Sequence, residues 1–246
     1  MKILFALIKS EFIKIKNNLL FYMLLIFIFP LLLYLFISIP LSLIFYDMQP
    51  VYVSWSSAGL FSVNIAFVTY ILSQNYYEVK ITSKYFFATP VTCYQNILAN
   101  YLYLILIGVS QLIISMFIIN SLNGDYMRIL DFFVIILLII PLIIFISNIG
   151  CLIILLVNNK NIFIDVFSFL ILSFSFGAFI PLDNIHQSFA SIAIYLPIGS
   201  TIANVQRIIS SESMYFSLFL VSLLYAVFSF ILILYMFEYK IKNKKT

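Results

Sequence analysis

The chain has 246 residues, 64% of them hydrophobic and 9% charged, with a formal net charge of +4 and a mean hydropathy of +1.16. A water-facing surface needs roughly a quarter of its residues charged, so an ordinary soluble fold is excluded and most of the chain must face lipid or other membrane helices. No stretch interleaves basic, polar and aromatic side chains in soluble sequence, which sets aside nucleic-acid binding, and Cys93 and Cys151 have no metal-ligand spacing and are not expected to pair.

Residues 1–18 read as a basic amphipathic helix on the membrane surface, with Leu4, Phe5, Ile8, Phe12 and Ile15 on one side and Lys2, Lys9 and Lys16 along its edge. Beyond it, apolar runs long enough to cross a ~30 Å hydrocarbon core as helices occur at about 19–38, 53–73, 97–119, 132–157, 166–182 and 214–237. The first run is too long for the core of a signal peptide and lacks a small-residue cleavage site, so it is read as a retained span.

The connection at 74–96 is the longest inner segment between spans and is rich in aromatics. Exposed to water, Tyr76, Tyr77, Tyr85, Phe86 and Phe87 are a liability, so they are expected to pack against the inner leaflet or a partner protein. Pro90 stops or starts a short helix there. Residues 188–205 are apolar, but a seventh crossing there places the Lys240–Lys245 tail outside; Pro197 and Gly199 instead fit a broken, re-entrant segment over 183–207 that enters the membrane and returns.

Positive residues stay on the cytoplasmic side. With the N-terminus inside, eleven of the thirteen Lys and Arg residues are cytoplasmic, and only Arg128 and Arg207 are outside, beside Asp47, Asp125, Asp131, Asp183 and Glu212. The expectation is an all-α integral membrane domain over 1–246, with six spans and both termini in the cytoplasm.

No Asp, Glu, Lys or Arg falls in the middle of a span, where one costs at least ~2.5 kcal/mol and usually marks a functional site. Ion-driven carriers are disfavoured on that ground. Catalysis is disfavoured by the lone His186 in a loop and by the absence of a nucleophile elbow, and a channel by the absence of a filter motif. Polar stripes do exist. In the third span Asn96, Asn100, Gly108, Gln111 and Ser115 share one face, in the second Ser54, Ser57, Ser62, Asn64 and Thr69 do, and in the fourth Ser147, Asn148, Gly150 and Cys151 sit around one level. Two readings stay open: helix packing, or a substrate path or dimer seam at Ser57, Asn64, Asn100, Gln111 and Ser115. Pro30 and Pro141 permit kinks in the first and fourth spans.

An amphipathic start containing Ser-Glu-Phe-x-Lys-x-Lys (Ser10 to Lys16), six spans, and a second-to-third connection with Glu78, an aromatic stretch and Pro90 together resemble the permease subunits of ABC-2 type transporters. The resemblance is greatest to the small permeases of lantibiotic immunity and resistance exporters. It covers the whole chain in length and span order. Departing from the family, Cys93 and Tyr94 follow the loop proline where a basic residue is common.

The resemblance implies a connecting helix at 2–16, and a coupling helix at 78–90 that carries Glu78, Lys84, Tyr85, Phe86, Phe87 and Pro90 into a groove of an ATPase. It also implies an outer re-entrant hairpin between the last two spans. Partners would be two copies of the ATPase, a second related permease, the lipid bilayer and a peptide substrate, in the bacterial cytoplasmic membrane. The chain has no Gly-x-x-x-x-Gly-Lys-Ser/Thr loop, so ATP and magnesium are expected on a separate subunit and no cofactor on this chain. Rival readings are an ABC-2 permease for a lipid, polysaccharide or drug, and a non-transporting membrane sensor or scaffold. Eleven lysines against two arginines, with abundant Ile, Phe, Asn and Tyr, suggest an AT-rich bacterial genome.

Overall fold

Backbone amides in hydrocarbon have no water to bond, so long apolar runs satisfy them within helices. The computed structural model describes residues 2–48, 51–82, 91–123, 128–157, 165, 167, 176–184 and 187–244. Their regular structure is helical: α1 (Lys2–Asn17), α2 (Leu19–Ile44), α3 (Tyr52–Thr82), α4 (Cys93–Asn123), α5 (Ile129–Val157), α6 (Gln187–Ala193), α7 (Pro197–Ile209) and α8 (Phe216–Lys244). Among the described residues, α2, α3, α4, α5 and α8 are each long and apolar enough to cross a membrane. The expected span at 166–182 lies mostly outside the described residues, as does His186.

The ends of the helices differ from the limits of the apolar runs. α2 continues past Ser38 to Ile44, carrying two π-helical segments, Leu24–Ile28 and Tyr34–Ser38. Each ends two residues ahead of a proline, Pro30 or Pro40. A widened turn relieves the clash between a proline ring and the carbonyl four residues earlier, so the helix passes both prolines. Pro141 lies within a continuous α5. α3 runs to Thr82, well beyond its apolar stretch. α4 begins at a reciprocal cap: the Gln95 amide donates to Thr92 Oγ1 at 3.3 Å, and the Thr92 amide donates to Gln95 Oε1 at 3.1 Å.

α3 is the centre of the bundle. Of its membrane-length stretch 89% is buried, against 17% for α2 and 28% for α8. It packs on α4, α5 and α7, while α8 packs on α5 and α1 lies along α4. It is also the least apolar of the five long helices. The arrangement follows from solvation: lipid accepts Leu20, Phe36 and Leu43 of α2 and Phe228 of α8 on the surface, whereas the hydroxyl and amide side chains of α3 are stabilised by facing other helices.

α6 and α7 meet at 93°. With seven and thirteen residues at about 1.5 Å each, neither alone crosses a ~30 Å core. Pro197 occupies the first turn of α7 after an extended Leu196, where its missing N–H costs nothing. Gly199 permits the sharp bend, because a Cβ there would lie 2.0 Å from the Ala193 carbonyl oxygen. The proline and glycine of the expected re-entrant segment thus form the break itself. Beyond the bend, α7 buries Ile198, Ile202, Val205 and Ile208 and packs against α3, α5 and α8. The turn into α8 is clamped by Asn204, which donates to the Tyr215 carbonyl at 3.1 Å and accepts from the Tyr215 amide at 2.8 Å. Arg207 closes the same turn, pairing with Glu212 at 2.9 Å and lying 3.6 Å over the Tyr215 ring.

A close contact between helix backbones occurs at Gly150 of α5, where a Cβ would stand 3.1 Å from the Tyr70 carbonyl oxygen and 3.2 Å from Ser73 Cβ of α3. Gly150→Leu is therefore expected to destabilise the protein by about 1–3 kcal/mol through overpacking. Thermal denaturation in detergent checks this, with Ser110→Leu on the exposed side of α4 expected to leave the midpoint unchanged.

Candidate functional site

The polar stripes of the sequence meet inside the bundle. Asn100 on α4 donates to Ser147 Oγ on α5 at 2.9 Å and lies 3.5 Å from Ser73 Oγ on α3. Ser73 in turn donates to the Ser147 carbonyl at 2.7 Å. One residue along, the Tyr101 hydroxyl donates to Asn148 Oδ1 at 2.5 Å, and Asn148 Nδ2 donates to Ser229 Oγ of α8 at 2.8 Å. Four long helices are thereby joined at one level by side chains that lipid cannot satisfy. Such bonds contribute on average about 0.6 kcal/mol each in a membrane.

The other stripe residues serve the same contacts. Asn64 faces Ser115 across α3 and α4 at 3.5 Å, Gln111 donates to the Leu25 carbonyl of α2 at 3.4 Å, and Ser57 donates within its own helix to the Ser54 carbonyl at 2.6 Å. Ser57, Asn64, Asn100, Gln111 and Ser115 are all buried between helices of the single chain. In this arrangement they present no surface to a second copy.

Beside this network an apolar crevice of about 290 Å³ opens between α4, α5 and α8, lined by Tyr94, Tyr101, Pro141, Leu223 and Phe230 among others. Tyr101 belongs to both, with its ring in the crevice wall and its hydroxyl on Asn148. The crevice offers an apolar recess next to polar groups, which suits the flank of an amphipathic molecule.

The chain matches no family model, no curated protein and no solved structure.

The second cluster lies where α1 meets the ends of α3 and α4. Phe12 packs edge-to-face on Tyr103 of α4 at 6.3 Å, and the Tyr22 and Tyr103 hydroxyls are 3.0 Å apart, which ties α1, α2 and α4 together. Leu4, Leu7, Ile8, Glu11, Lys14 and Ile15 form the covered side of α1, while Phe5 and Phe12 are exposed. The apolar stripe expected for α1 is thus split: Leu4, Ile8 and Ile15 turn inward, Phe5 turns outward, and Phe12 stands at the edge, partly exposed with its ring on Tyr103. At the middle of the covered side sits a carboxylate, Glu11, whose side chain is 5% exposed and accepts from Lys14 Nζ at 2.7 and 2.9 Å.

Tyr76 and Tyr77, expected to face the leaflet or a partner, are instead buried within the chain. Tyr76 donates to the Asn96 carbonyl at 3.2 Å, and the Tyr77 ring packs against Phe237 of α8 at 5.6 Å. The extra helical turns of α3 carry both rings inward. Glu78 lies on the same helix, at the rim of a cavity shared with Glu11 and Lys14. Lys84, Tyr85, Phe86, Phe87 and Pro90 lie outside the described residues. Pro197 and Gly199 stand at the bend between α6 and α7, away from both clusters in sequence.

Sequence reading missed Glu11 as a buried group. Its signal was its position at the i+3, i+7 spacing from Ile8 and Leu4 on the covered face, which a count of apolar residues does not include. It also missed the pairing of Tyr101 with Asn148, because the two residues lie on different helices. Asn148→Ala removes the partner of both Tyr101 and Ser229 and is expected to cost about 1–3 kcal/mol. Equilibrium unfolding in mixed micelles measures it, and Asn148→Asp is expected to destabilise further by burying a charge.

Proposed function

We propose that this chain is the membrane-spanning permease subunit of a bacterial ABC-2 type exporter, working with two copies of a separate ATPase and a second related permease. Its cargo in this reading is a membrane-active antimicrobial peptide of the lantibiotic kind, moved from the cytoplasmic membrane to the outside to confer immunity or resistance. Both termini and the 83–90 connection face the cytoplasm, where the lysines are concentrated.

The observation that carries the proposal is the meeting of α1 with the end of α3 that leads into the 83–90 connection. Lys14 on α1 lies 6.0 Å over the ring of Tyr76 on α3, and Phe12 rests on Tyr103 of α4. A partner that grips the connection therefore pulls on α1, α3 and α4 together. Because α3 is the central helix, packed on α4, α5 and α7, that pull reaches the whole bundle. The proline-bent hairpin and the small turn at Asn204 give the opposite end a second rigid element on α3 and α8.

The cargo class is supported by what the long helices contain. Their described polar interior is uncharged and partly paired by its own hydrogen bonds, and the crevice at Tyr94, Tyr101 and Pro141 is lined almost wholly by apolar groups. An amphipathic peptide already in the bilayer needs such a lateral, apolar route more than an aqueous pore.

Expression with the neighbouring genes and a tagged pull-down from solubilised membranes tests the assignment. An ATP-hydrolysing subunit is expected to copurify in a fixed ratio, and Phe86→Asp or Phe87→Asp to reduce its recovery at least tenfold while this chain remains inserted. Recovery of this chain alone turns the assignment toward a sensor or scaffold, and full ATPase recovery with both aspartate variants removes the coupling role of the connection.

A further inference from the structure

The charges of α1 are sorted between its two sides. Glu11, the one acidic residue in Lys2–Asn17, is enclosed on the covered side and paired there with Lys14. Lys9 and Lys16 stand on the other side, exposed, and neither has an ion pair among the described residues. We propose that this outward face of α1 is a docking surface for an anionic lipid leaflet, with Lys9 and Lys16 on lipid phosphates and the apolar side chains beside them in the headgroup layer.

Three observations lead there. The first is register. Lys9 and Lys16 are separated by two helical turns, so at ~100° per residue they lie within about 20° of one another and about 10.5 Å apart along the axis. Glu11 falls about 160° round from Lys9, against α3 and α4, so its charge does not cancel theirs. Phe5 and Phe12 border the lysine row on one edge, and Ala6 and Ile13 border it on the other.

The second is solvation. A row of ammonium groups alone suits water, and large apolar side chains alone suit hydrocarbon. This face exposes both at once: Phe5 is 77% exposed, and Phe12 and Ile13 are exposed with it. A headgroup layer satisfies the two together, because lysine stems lie along apolar surface while their charged heads reach phosphate.

The third is position. α1 leads through Asn18 into α2, whose first residues Leu19, Leu20 and Phe21 are exposed, Leu20 at 75%. Leu20 comes one turn after Lys16 and belongs to a helix of membrane length, so Lys16 stands where hydrocarbon gives way to headgroups. An acidic protein surface answers the charge of this face but not the apolar residues that run on into the lipid-facing side of α2. Anionic lipid answers both.

The purified full chain in a neutral maltoside detergent is titrated separately with dioleoyl phosphatidylglycerol and dioleoyl phosphatidylcholine, and bound lipid is counted by native mass spectrometry. Phosphatidylglycerol is expected to bind roughly tenfold more tightly, with the preference shrinking as ionic strength rises. Replacing both lysines, Lys9→Gln with Lys16→Gln, is expected to cut that preference at least fivefold. Lys9→Arg with Lys16→Arg keeps it, and so does Arg128→Gln, at the start of α5. Phe5→Ser is expected to weaken both lipids alike. Equal affinity of the unmodified chain for the two lipids overturns the proposal, as does a preference unchanged in the double glutamine variant. Loss of a coexpressed protein from that variant, with its lipid preference intact, reassigns the face to a protein partner and overturns the proposal too. Should the double variant fail to fold, Lys9→Gln and Lys16→Gln are measured singly, and an undiminished preference in both is the overturning result. The assay needs no ATPase, so its failure is separable from failure of the permease reading.

Discussion

A hydroxyl or amide side chain within hydrocarbon has to find its partner in the protein, and in this chain that requirement decides which helix is central. α3 carries Ser57, Ser62, Asn64, Thr69, Ser73 and Gln74, all buried. Surrounding α3 with α4, α5 and α7 gives these groups neighbours and leaves the more apolar α2 and α8 to meet lipid. Between membrane helices the hydrophobic effect supplies little preference, since lipid tails are as apolar as leucine. Position in the bundle is then set by polar satisfaction and by close approach at small residues such as Gly150.

The same constraint links the two clusters. The bonds from Ser73 and Asn100 to Ser147 and from Asn148 to Ser229 hold four helices at one level. Just beyond that level α3 continues with Tyr76, Tyr77 and Glu78, meets α1, and enters the 83–90 connection. A force applied at the connection therefore enters the bundle through the helix with the largest buried fraction. Under the proposed function this is how a separate ATPase would act on a chain that has no nucleotide-binding loop. The bent pair α6 and α7 provides a rigid element beside the start of α8, because Gly199 and Pro197 fix its bend and Asn204 fixes its return.

The long apolar runs were legible in the sequence, because twenty or so residues without charge admit no other structure in hydrocarbon. Four of the expected spans fall within helices α2, α3, α4 and α5, and the last, at 214–237, begins two residues before α8 and otherwise lies within it. The bend at Pro197 and Gly199 was legible too, since both residues disfavour a continuous helix. What escaped were the ends. Hydropathy stops at Ser73, but α3 does not, because Gln74, Tyr76 and Tyr77 find burial beside α4 and α8 that no local window contains. For the same reason a stretch that looked like an aromatic loop holds core residues. Glu11 escaped because a charge on an amphipathic helix is normally read as its wet face, whereas here Lys14 pairs with it and permits burial. The π segments of α2 had only Pro30 and Pro40 as signals, and a proline permits a kink without specifying a widened turn.

The central placement of α3 is the claim on which the rest depends, and lipid accessibility tests it most directly. Single cysteines at Asn64 on α3, Phe36 on α2 and Phe228 on α8 are spin-labelled in reconstituted bilayers and relaxed with molecular oxygen, which partitions into lipid. The account predicts strong oxygen relaxation at 36 and 228 and little at 64. Relaxation at 64 equal to that at the two phenylalanine positions would place α3 on the lipid surface and contradict the arrangement.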